Sequence, residues 1–303
     1  MSASFASALG AARAAAGAQH YPEGALYVVA TPIGNLADIS MRALHLLGLA
    51  DAVACEDTRH TQTLLRAYGI DKPGTALLAV HQHNETEAAQ AVLERLRLGQ
   101  RVAYASDAGT PGVSDPGARL VAAVRAAGHA VVPLPGASSV TALLSAAGAV
   151  DDDPGFVFAG FLPAKAGERD SAVAALALER RAVVVLEAPH RIAALAASLA
   201  VLGERPVTVG RELTKQFEEI ATLPCAGFSA WLQAGPQRGR GEFALALHPV
   251  ARVVDSDEPL RVLRLLLAEL PLKSAVKLAA EITGAPRNTL YEAALQLKDA
   301  TRG

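Results

Sequence analysis

Four carboxylates stand at the ends of apolar, strand-like runs, where side chains can reach a ligand. Glu56 and Asp57 follow one such run, Asp107 follows another, and Glu187 ends a third. A carboxylate placed in this way can orient or deprotonate a hydroxyl nucleophile. Glu56 and Asp57 can equally cap the helix predicted to begin at Thr58. These residue types do not single out one general base.

Three loops rich in glycine and proline follow other strand-like runs. They span residues 31–35 (Thr-Pro-Ile-Gly-Asn), 106–117 and 135–139 (Pro-Gly-Ala-Ser-Ser). Glycine lets the backbone approach a ligand closely, and proline stiffens a loop. Ligands of open α/β sheets bind beyond the carboxyl ends of the strands. Three such loops on one edge therefore predict a binding site better than they predict ordinary tight turns.

The common nucleotide-binding and hydrolase motifs are absent from the sequence. There is no GxGxxG and no GxxxxGK[ST], which disfavours a dinucleotide oxidoreductase and an NTPase. The string Gly112–Gly117 misses the GxSxG nucleophile elbow by one residue, which weakens a hydrolase interpretation.

Cationic side chains in loops near these motifs favour RNA as a substrate. Arginine and lysine bind phosphates, and arginine also stacks on a splayed base. Net charge is only −2, so RNA would need a local basic patch. Any one of these cationic side chains can alternatively be a solvated surface charge. The candidates are Arg59, Lys165, Arg169, Arg191, Arg211 and Lys215.

The elements that must position these residues alternate regularly along the first half. Apolar β-branched runs are followed by helical patterns, which predicts a parallel, doubly wound sheet. Asn84 and Glu87 have the spacing of a capping box. The predicted strands are 26–30, 52–55, 76–80, 101–106 and 130–134.

A second α/β unit is predicted after the Asp-Asp-Asp-Pro-Gly string at 151–155. The short connector Glu212–Phe217 predicts an antiparallel pair, and the chain beyond Glu258 is helical in pattern, with Pro286 suggesting a short helix–turn–helix. The predicted strands are 156–160, 182–187, 207–211, 218–222 and 242–248.

The division of the chain follows from these patterns. We predict an N-terminal α/β domain over 22–150, a C-terminal α/β domain over 151–252 and a helical tail over 253–303. Residues 1–21 are alanine- and serine-rich, with one arginine and no acid before position 20. A disordered extension is favoured there over a transit peptide.

Composition restricts the class of protein. The chain has 303 residues, 51% of them hydrophobic, which is enough for about two ordinary domains. Its two cysteines form no CxxC, so no zinc site, other metal site or disulfide framework is predicted, and a reducing cytoplasm is expected. Charged residues or glycine interrupt the longest apolar runs, so no membrane span is expected.

Several strings together resemble the tetrapyrrole methylase superfamily, and within it the branch that methylates small-subunit ribosomal RNA. The resemblance covers roughly residues 24–250, and the combination is specific although no single string is. The strings are Ala30–Leu36, Ala54–Thr61, Ser106–Gly112, Pro133–Ser139, Gly160–Pro163, Glu187–Arg191 and Gly210–Lys215.

The resemblance implies two α/β domains with S-adenosylmethionine in the cleft between them, and a homodimer. It implies methylation of the 2′-hydroxyl of cytidine 1402 in 16S rRNA, within the 30S subunit. By position, the residues on the cofactor side would be Pro32, Asp107, Gly109, Ser138 and Ser139.

Glu56, Asp57 and Glu187 are the catalytic candidates on this view, because a ribose hydroxyl is a poor nucleophile. Tetrapyrrole-acting relatives differ at the 56–59 string, so we expect it to face the acceptor.

Two alternatives remain open. Relatives that act on tetrapyrroles carry Gly-Pro-Gly in the first loop and Gly-Asp-Pro after the fourth strand. This chain has Thr-Pro-Ile-Gly and Ser-Asp-Ala-Gly-Thr-Pro instead, which moves the substrate away from tetrapyrroles. A methylase acting on a tetrapyrrole or another small molecule is one alternative. A non-catalytic nucleotide- or RNA-binding module is the other.

Overall fold

Five short parallel strands form the first sheet of the protein. The computed structural model describes residues 5, 7–81, 84–114, 117–150, 155–250 and 258–300. The sheet has the order β3-β2-β4-β1-β5, and every pairing in it is parallel. This confirms the predicted doubly wound sheet. Its strands are β1 (Leu26–Val29), β2 (Ala52–Cys55), β3 (Leu77–Ala79), β4 (Val102–Ala105) and β5 (Val131–Leu134).

Helices cover both faces of this sheet, which explains why its strands read as unbroken apolar runs. Alternate residues of a strand point to opposite faces. In β1, Tyr27 and Val29 pack with α1, α2 and α3, whereas Leu26 packs with α4 and α5. The helices are α1 (Ala8–Ala16), α2 (Met41–Leu49), α3 (Thr58–Ala67), α4 (Glu85–Arg97), α5 (Gly117–Ala126) and α6 (Ser139–Ala147).

Strands β1 and β4 lie side by side at a topological switch point. The connection from β1 leads past β4 to β2, and the connection from β4 leads past β1 to β5. The two connections diverge in opposite directions, which opens a crevice between the loops that follow these strands. Those loops are residues 30–35 and 106–117, two of the three loops rich in glycine and proline.

The second sheet is mixed, with the order β6-β7-β10-β8-β9. Strand β6 runs parallel to β7, while β10 is antiparallel to both β7 and β8, and β8 is antiparallel to β9. The predicted antiparallel pair across Glu212–Phe217 is confirmed. The strands are β6 (Phe156–Phe161), β7 (Ala182–Glu187), β8 (Pro206–Arg211), β9 (Glu219–Pro224) and β10 (Phe243–Leu247).

The two faces of the second sheet are covered by different parts of the chain. One face packs against α7 (Ala166–Leu178), α8 (Ile192–Leu199) and α9 (Phe228–Gln233), around buried residues such as Val185 and Phe228. Ala244 and Ala246, on the other face, pack against α6 of the first half. Residues 1–250 form one compact unit, because α6, before the predicted domain boundary, packs against the second sheet, after it. Residues 151–154 lie outside the described part.

Residues 251–303 form a separate unit. Its helices are α10 (Glu258–Glu269), α11 (Leu272–Thr283) and α12 (Arg287–Ala300). Leu263, Val276 and Leu290, one from each helix, are buried in a small common core. The helical pattern predicted beyond Glu258 is therefore present, and α12 begins directly after Pro286.

Two local predictions need correction. The extension expected to be disordered contains α1, because Ala12 and Ala16 are small enough to bury that helix against the first core. Asn84 precedes α4 but makes no capping bond to it. Its side chain instead accepts a bond from the amide of His81 and donates to the carbonyl of Ala79, so it stabilises the preceding turn.

Two further observations concern the whole chain. Both cysteines, Cys55 in β2 and Cys225 after β9, are buried free thiols. No helix among the described residues is long and apolar enough to cross a membrane.

The seam between α6 and the second sheet gives a stability prediction. Leu143 is fully buried there with Ala244 and Ala246. Leu143→Ala should lower the free energy of unfolding by about 2–5 kcal/mol, through lost burial and the cavity left behind. Denaturant titration measures this. Leu178→Ala is the control, since Leu178 is 83% exposed; equal stability of the two variants would show that α6 does not hold the sheets together.

Candidate functional site

The three glycine- and proline-rich loops meet at one edge of the first sheet and are bonded to one another. Thr31 and Gly109 exchange backbone hydrogen bonds of 2.9 and 3.1 Å. The buried Thr31 hydroxyl donates to the carbonyl of Ser106 at 3.0 Å, and the Thr110 hydroxyl donates to the carbonyl of Ala137 at 3.0 Å. These bonds confirm that the three loops converge at one edge of the sheet.

Glycine is required at position 109 for two reasons. Its φ of +85° is a left-handed conformation that side chains rarely adopt. A Cβ there would also lie 3.2 Å from Cγ2 of Ile33, across the crevice. Gly109 is buried and contributes backbone to the cavity wall beside Ser106.

A small polar cavity of about 170 Å³ lies directly above this edge. Carboxyl and hydroxyl groups of the first half line much of it. The amide of Asp57 donates to Oδ1 of Asp107 at 3.3 Å, which holds that carboxylate at the cavity wall. The predicted residues in the lining are Glu56, Asp107, Gly109, Ser138 and Ser139.

A larger, more apolar cavity of about 330 Å³ continues from it towards the second sheet. The two share lining residues, including Ile33, Ser139 and Leu186, so they form one cleft between the sheets. The second half adds Leu213, Phe243 and Ala244 to its walls. The cleft therefore has a polar inner end and an apolar outer part.

Glu187 ends β7 in the outer part of the cleft, and its side chain is fully buried. Oε1 accepts a bond from the amide of Ala188 at 2.9 Å and lies 3.0 Å from Nε of Arg191. Oε2 is buried and has no hydrogen-bond partner among the described residues. Because a buried carboxylate oxygen without a partner is costly, Oε2 is suited to receive a hydrogen bond from a ligand.

Lys215 lies on the cleft wall and joins two glutamates. Its Nζ is 2.9 Å from Oε1 of Glu212 and 2.9 Å from Oε2 of Glu242. Burial by itself would lower the pKa of Lys215, but the bonds to the two carboxylates outweigh it and raise that pKa. Burial would raise the pKa of Glu212, but the bonds from Lys215 and from the Glu242 amide outweigh burial and lower it.

The connector that carries this network is conformationally strained. Glu212 and Thr214 have φ values of +51° and +67°, which cost roughly 1–3 kcal/mol each for side chains of this kind. The first loop packs directly on this connector: the amide of Asn35 donates to the Thr214 hydroxyl at 3.2 Å. A Cβ on Gly34 would lie 2.4 Å from Cγ of Lys215, so only glycine allows this approach.

Asp57 caps α3. Its Oδ1 accepts bonds from the amides of Arg59 and His60 at 2.8 and 3.2 Å. These two backbone bonds lower the pKa of the Asp57 carboxyl. The side chain is exposed and is not part of the cleft lining, so of the two adjacent acids it is Glu56 that faces the cleft.

The cationic candidates occupy different environments. Arg59 is exposed near the start of α3, and Lys165 is exposed and paired with Glu168. Arg191 pairs with Glu187 and also donates to the carbonyl of Leu162. Among the six, Lys215 is the one that lines the cleft.

The role of Arg169 as an RNA contact stays a prediction, because hydrogen bonds inside the fold engage its side chain. Its side chain is buried, and it donates to the Ser198 hydroxyl at 2.9 Å and to the carbonyl of Ala164 at 3.1 Å. These bonds fasten α7 to α8 and occupy two of the guanidinium nitrogens. Arg211 is also buried, beside Phe217.

The apolar walls of the cleft were not predicted from the sequence. Pro32 is buried and is not part of the lining, whereas its neighbour Ile33 lines both parts. Leu186 and Phe243 also went unnoticed, because a residue inside an apolar strand gives no signal of which face it occupies. Neighbouring residues of a strand point to opposite faces of the sheet, so the position of Leu186 beside Glu187 in β7 is the signal that could have identified its face.

Family models match two parts of the chain. Residues 25–226 match the model described as tetrapyrrole (corrin/porphyrin) methylases, and residues 253–298 match the model described as the RsmI C-terminal HTH domain.

Curated relatives match over most of their length. A protein of Pseudomonas aeruginosa named ribosomal RNA small subunit methyltransferase I is 48% identical over 279 residues, covering 90% of this chain and 97% of the relative. The protein of the same name from Escherichia coli O157:H7 is 46% identical, covering 90% of this chain and 96% of the relative.

Solved structures share the fold at low identity. Cobalt precorrin-4 methyltransferase superposes with a TM-score of 0.52 at 20% identity, covering 75% of this chain and 98% of its own. Uroporphyrin-III C-methyltransferase of Thermus thermophilus, in complex with S-adenosylhomocysteine, has a TM-score of 0.51 at 18% identity, covering 73% and 96%.

The capping geometry of Asp57 predicts how its variants behave. Asparagine caps helices about as well as aspartate, whereas alanine does not. Asp57→Asn should melt close to the parent protein at neutral pH, and Asp57→Ala should melt measurably lower. Because the pKa of Asp57 is lowered in the fold, the stabilisation by its charge is present above the unfolded pKa and is lost as pH falls through the folded pKa. Thermal melts from pH 7 to pH 2 check this; a large loss in Asp57→Asn at neutral pH would contradict a capping role.

Proposed function

The chain belongs to the tetrapyrrole methylase family, together with the ribosomal RNA small subunit methyltransferases I, and from this membership we propose that it methylates ribosomal RNA with S-adenosylmethionine as donor. The proposed acceptor is the ribose 2′-hydroxyl of cytidine 1402 in 16S rRNA. The observation that carries the proposal is the cleft between the two sheets, with a polar inner end, apolar outer walls and, on Glu187, a buried carboxylate oxygen that has no hydrogen-bond partner among the described residues.

The cleft fits such a donor in its chemistry. Adenosine and methionine groups combine apolar surface with hydroxyl and amino donors, and the cleft offers Ile33, Leu186 and Phe243 beside the carboxylate of Asp107. We propose that Asp107, Gly109, Ser138 and Ser139 hold the cofactor at the inner end. When bound, the cofactor supplies an electrophilic methyl group. The chain's own contribution is to align the acceptor oxygen with it.

Glu187 is the carboxylate we propose for the acceptor hydroxyl. The ion pair with Arg191 and the bond from the Ala188 amide fix its Oε1, which leaves Oε2 to accept the proton of the ribose hydroxyl. Glu56 is the second candidate, because it lines the inner end. Asp57 is the weakest of the three, since its carboxylate is occupied as a helix cap.

The proposed setting is the cytoplasm, with the protein acting as a homodimer on 16S rRNA assembled in the 30S subunit. The names of the curated relatives support small-subunit ribosomal RNA as the substrate. The cytoplasm, the homodimer and the assembled subunit are proposed from the sequence resemblance alone. Arg59, Lys165, Arg191 and Lys215 are the cationic residues proposed to contact RNA, together with Arg211 in the way described below.

Labelled cofactor tests this proposal directly. Incubation with naked 16S rRNA, 30S particles and a tetrapyrrole should label the RNA, and alkaline hydrolysis should leave the bond after cytidine 1402 intact, because a methylated 2′-oxygen cannot attack the adjacent phosphate. A decoding-region fragment with 2′-deoxycytidine at that position is the matched control and should accept no label. Label on the tetrapyrrole alone, or none with any substrate, would overturn the proposal.

Asp107→Ala tests the inner end of the cleft. Loss of one charge-assisted hydrogen bond costs about 1.5–3 kcal/mol, so the Kd for S-adenosylmethionine should rise roughly 10- to 150-fold. Isothermal titration measures it, and circular dichroism confirms that the variant is folded. Asp38→Ala is the control, because Asp38 lies in the short turn after the first loop and is not part of the cleft lining. Equal affinity in the two variants would remove Asp107 from the cofactor site.

Glu187→Gln separates a chemical role from binding. It keeps the size of the side chain and removes its basicity, so the single-turnover rate should fall roughly 100- to 10,000-fold, while cofactor affinity changes little. Glu168→Gln, exposed on α7, is the matched control. A rate within a factor of two of the parent would show that Glu187 does not receive the proton.

A further inference from the structure

A separate cavity, of about 370 Å³, lies beside the cleft, outside the sites proposed for the cofactor and for the acceptor hydroxyl. We call it the Phe217 pocket. Its lining residues come from the connector after β8 and from the loop before β10: Arg211, Glu212, Phe217, Gln237, Arg240 and Gly241.

One hydrogen-bonded wall separates the Phe217 pocket from the cleft. Glu212 faces the pocket, whereas Lys215 and Glu242 face the cleft. Glu212 Oε1 accepts bonds of 2.9 Å from Lys215 Nζ and from the amide of Glu242. The pocket therefore lies next to the cleft, and a linear polymer that enters the cleft can reach both.

The pocket contains a buried cation with an unused donor. The Arg211 side chain is 8% exposed, and its Nη1 donates to the carbonyl of Phe217 at 3.2 Å. Its Nε is buried without a hydrogen-bond partner in the part of the chain that the structure describes, because its ion pair with Oε2 of Glu219 is long, at 3.8 Å. A buried guanidinium donor is costly to leave unpaired, which indicates a ligand that accepts hydrogen bonds.

An exposed aromatic ring stands at the rim. Phe217 is 69% exposed although it is a large apolar residue. Arg240 and Gln237 are exposed beside it, and among the described residues Arg240 forms no ion pair. Arg238, by contrast, is occupied, since it pairs with Glu219 and stacks on Trp231. The rim therefore offers a flat apolar surface, a cation and a carboxamide.

Gly241 keeps this rim open. Its φ is +85°, and a Cβ there would lie 2.4 Å from Cγ of Glu212. Any side chain would displace the wall, so glycine preserves both the pocket and the network that bounds it.

We propose that the Phe217 pocket binds a nucleotide of the RNA next to the acceptor, with its base stacked on Phe217 and its phosphate held by Arg240 and Arg211. This rests on the proposed function, because it takes RNA as the substrate in the neighbouring cleft. Aromatic rings bind unstacked bases of single-stranded RNA in this way, and guanidinium groups bind the phosphates. Gln237 supplies a donor and an acceptor for the edge of the base.

The acceptor must leave its stack to enter the cleft, and this pocket would compensate its neighbour for the lost stacking. Phe217 is then a residue for substrate binding and positioning rather than for methyl transfer, and its replacement should change KM for RNA rather than the rate of the bound complex.

Three variants test the inference. Phe217→Ala removes the ring, Phe217→Trp keeps a stacking surface, and Phe156→Ala removes another partly exposed phenylalanine, at the start of β6. Base–aromatic stacking of this strength predicts that Phe217→Ala raises KM and Kd for the RNA fragment roughly 5- to 150-fold. Phe217→Trp should restore both, Phe156→Ala should match the parent, and cofactor affinity should be equal in all of them.

Fluorescence locates the base. With 2-aminopurine placed on either side of cytidine 1402, stacking on Phe217 should quench one of the two positions in the parent and in Phe217→Trp, but not in Phe217→Ala. Methylation by the parent protein tests the proposed function separately. If the parent methylates RNA while Phe217→Ala has unchanged KM and quenching, the inference is wrong and the proposed function stands. A change in oligomeric state of Phe217→Ala with unchanged RNA affinity would assign the ring to a second copy of the chain and would also overturn it.

Discussion

Helix α6 buries Leu143 and Ala147 against the inner face of the second sheet, and the packing of the two halves around the cleft depends on that contact. A sheet must bury both faces or leave one to water, and here α6 of the first half covers what α7, α8 and α9 cannot. The cleft is the space that remains where α6 begins, at Ser138 and Ser139. The same contact thus sets the distance between Asp107 on one wall and Glu187 on the other.

The connector Glu212–Phe217 borders the cleft on the side of the second sheet, and hydrogen bonds hold its strained backbone in place. Glu212 and Thr214 are held at positive φ because Glu242 bonds to Glu212 and to Lys215 of this connector and the first loop bonds to Thr214. Strain of this kind persists only where the surroundings over-determine the backbone. It places the Glu212–Lys215–Glu242 network between two cavities, so one short segment shapes both the cleft and the Phe217 pocket.

Much of the fold could be predicted from the sequence, because apolar, strand-like runs separated by turn residues indicate the strands of both sheets. Strand β2 and strand β7 have the predicted bounds, and the antiparallel connector was found from its length alone. The failures are equally physical. The alanine-rich sequence of α1 is similar in composition to a disordered segment, and its helix is stabilised by packing against the first core. The side chain of Asn84 bonds to the preceding turn and does not cap α4.

The candidate site was predicted less completely. Glycine-rich loops and carboxylates at strand ends predicted a binding edge, and the family resemblance implied that Asp107, Gly109 and Ser139 lie on it. The partners of arginines were not visible, because ion pairs such as Arg191 with Glu187, and burial such as that of Arg169, arise only when distant segments meet. Apolar walls such as Ile33 and Leu186 have the same composition as any core residue.

The two cysteines have a practical consequence. Burial raises the pKa of Cys55 and of Cys225 to about 11, so at pH 7 only about one thiol in ten thousand is ionised. Since the thiolate is the reactive form, neither sulfur competes for alkylating reagents while the fold is intact. A single spectroscopic label can therefore be attached at a cysteine introduced on the surface without replacing Cys55 or Cys225. Slow modification of these two buried thiols would report the opening of the first and of the second sheet separately.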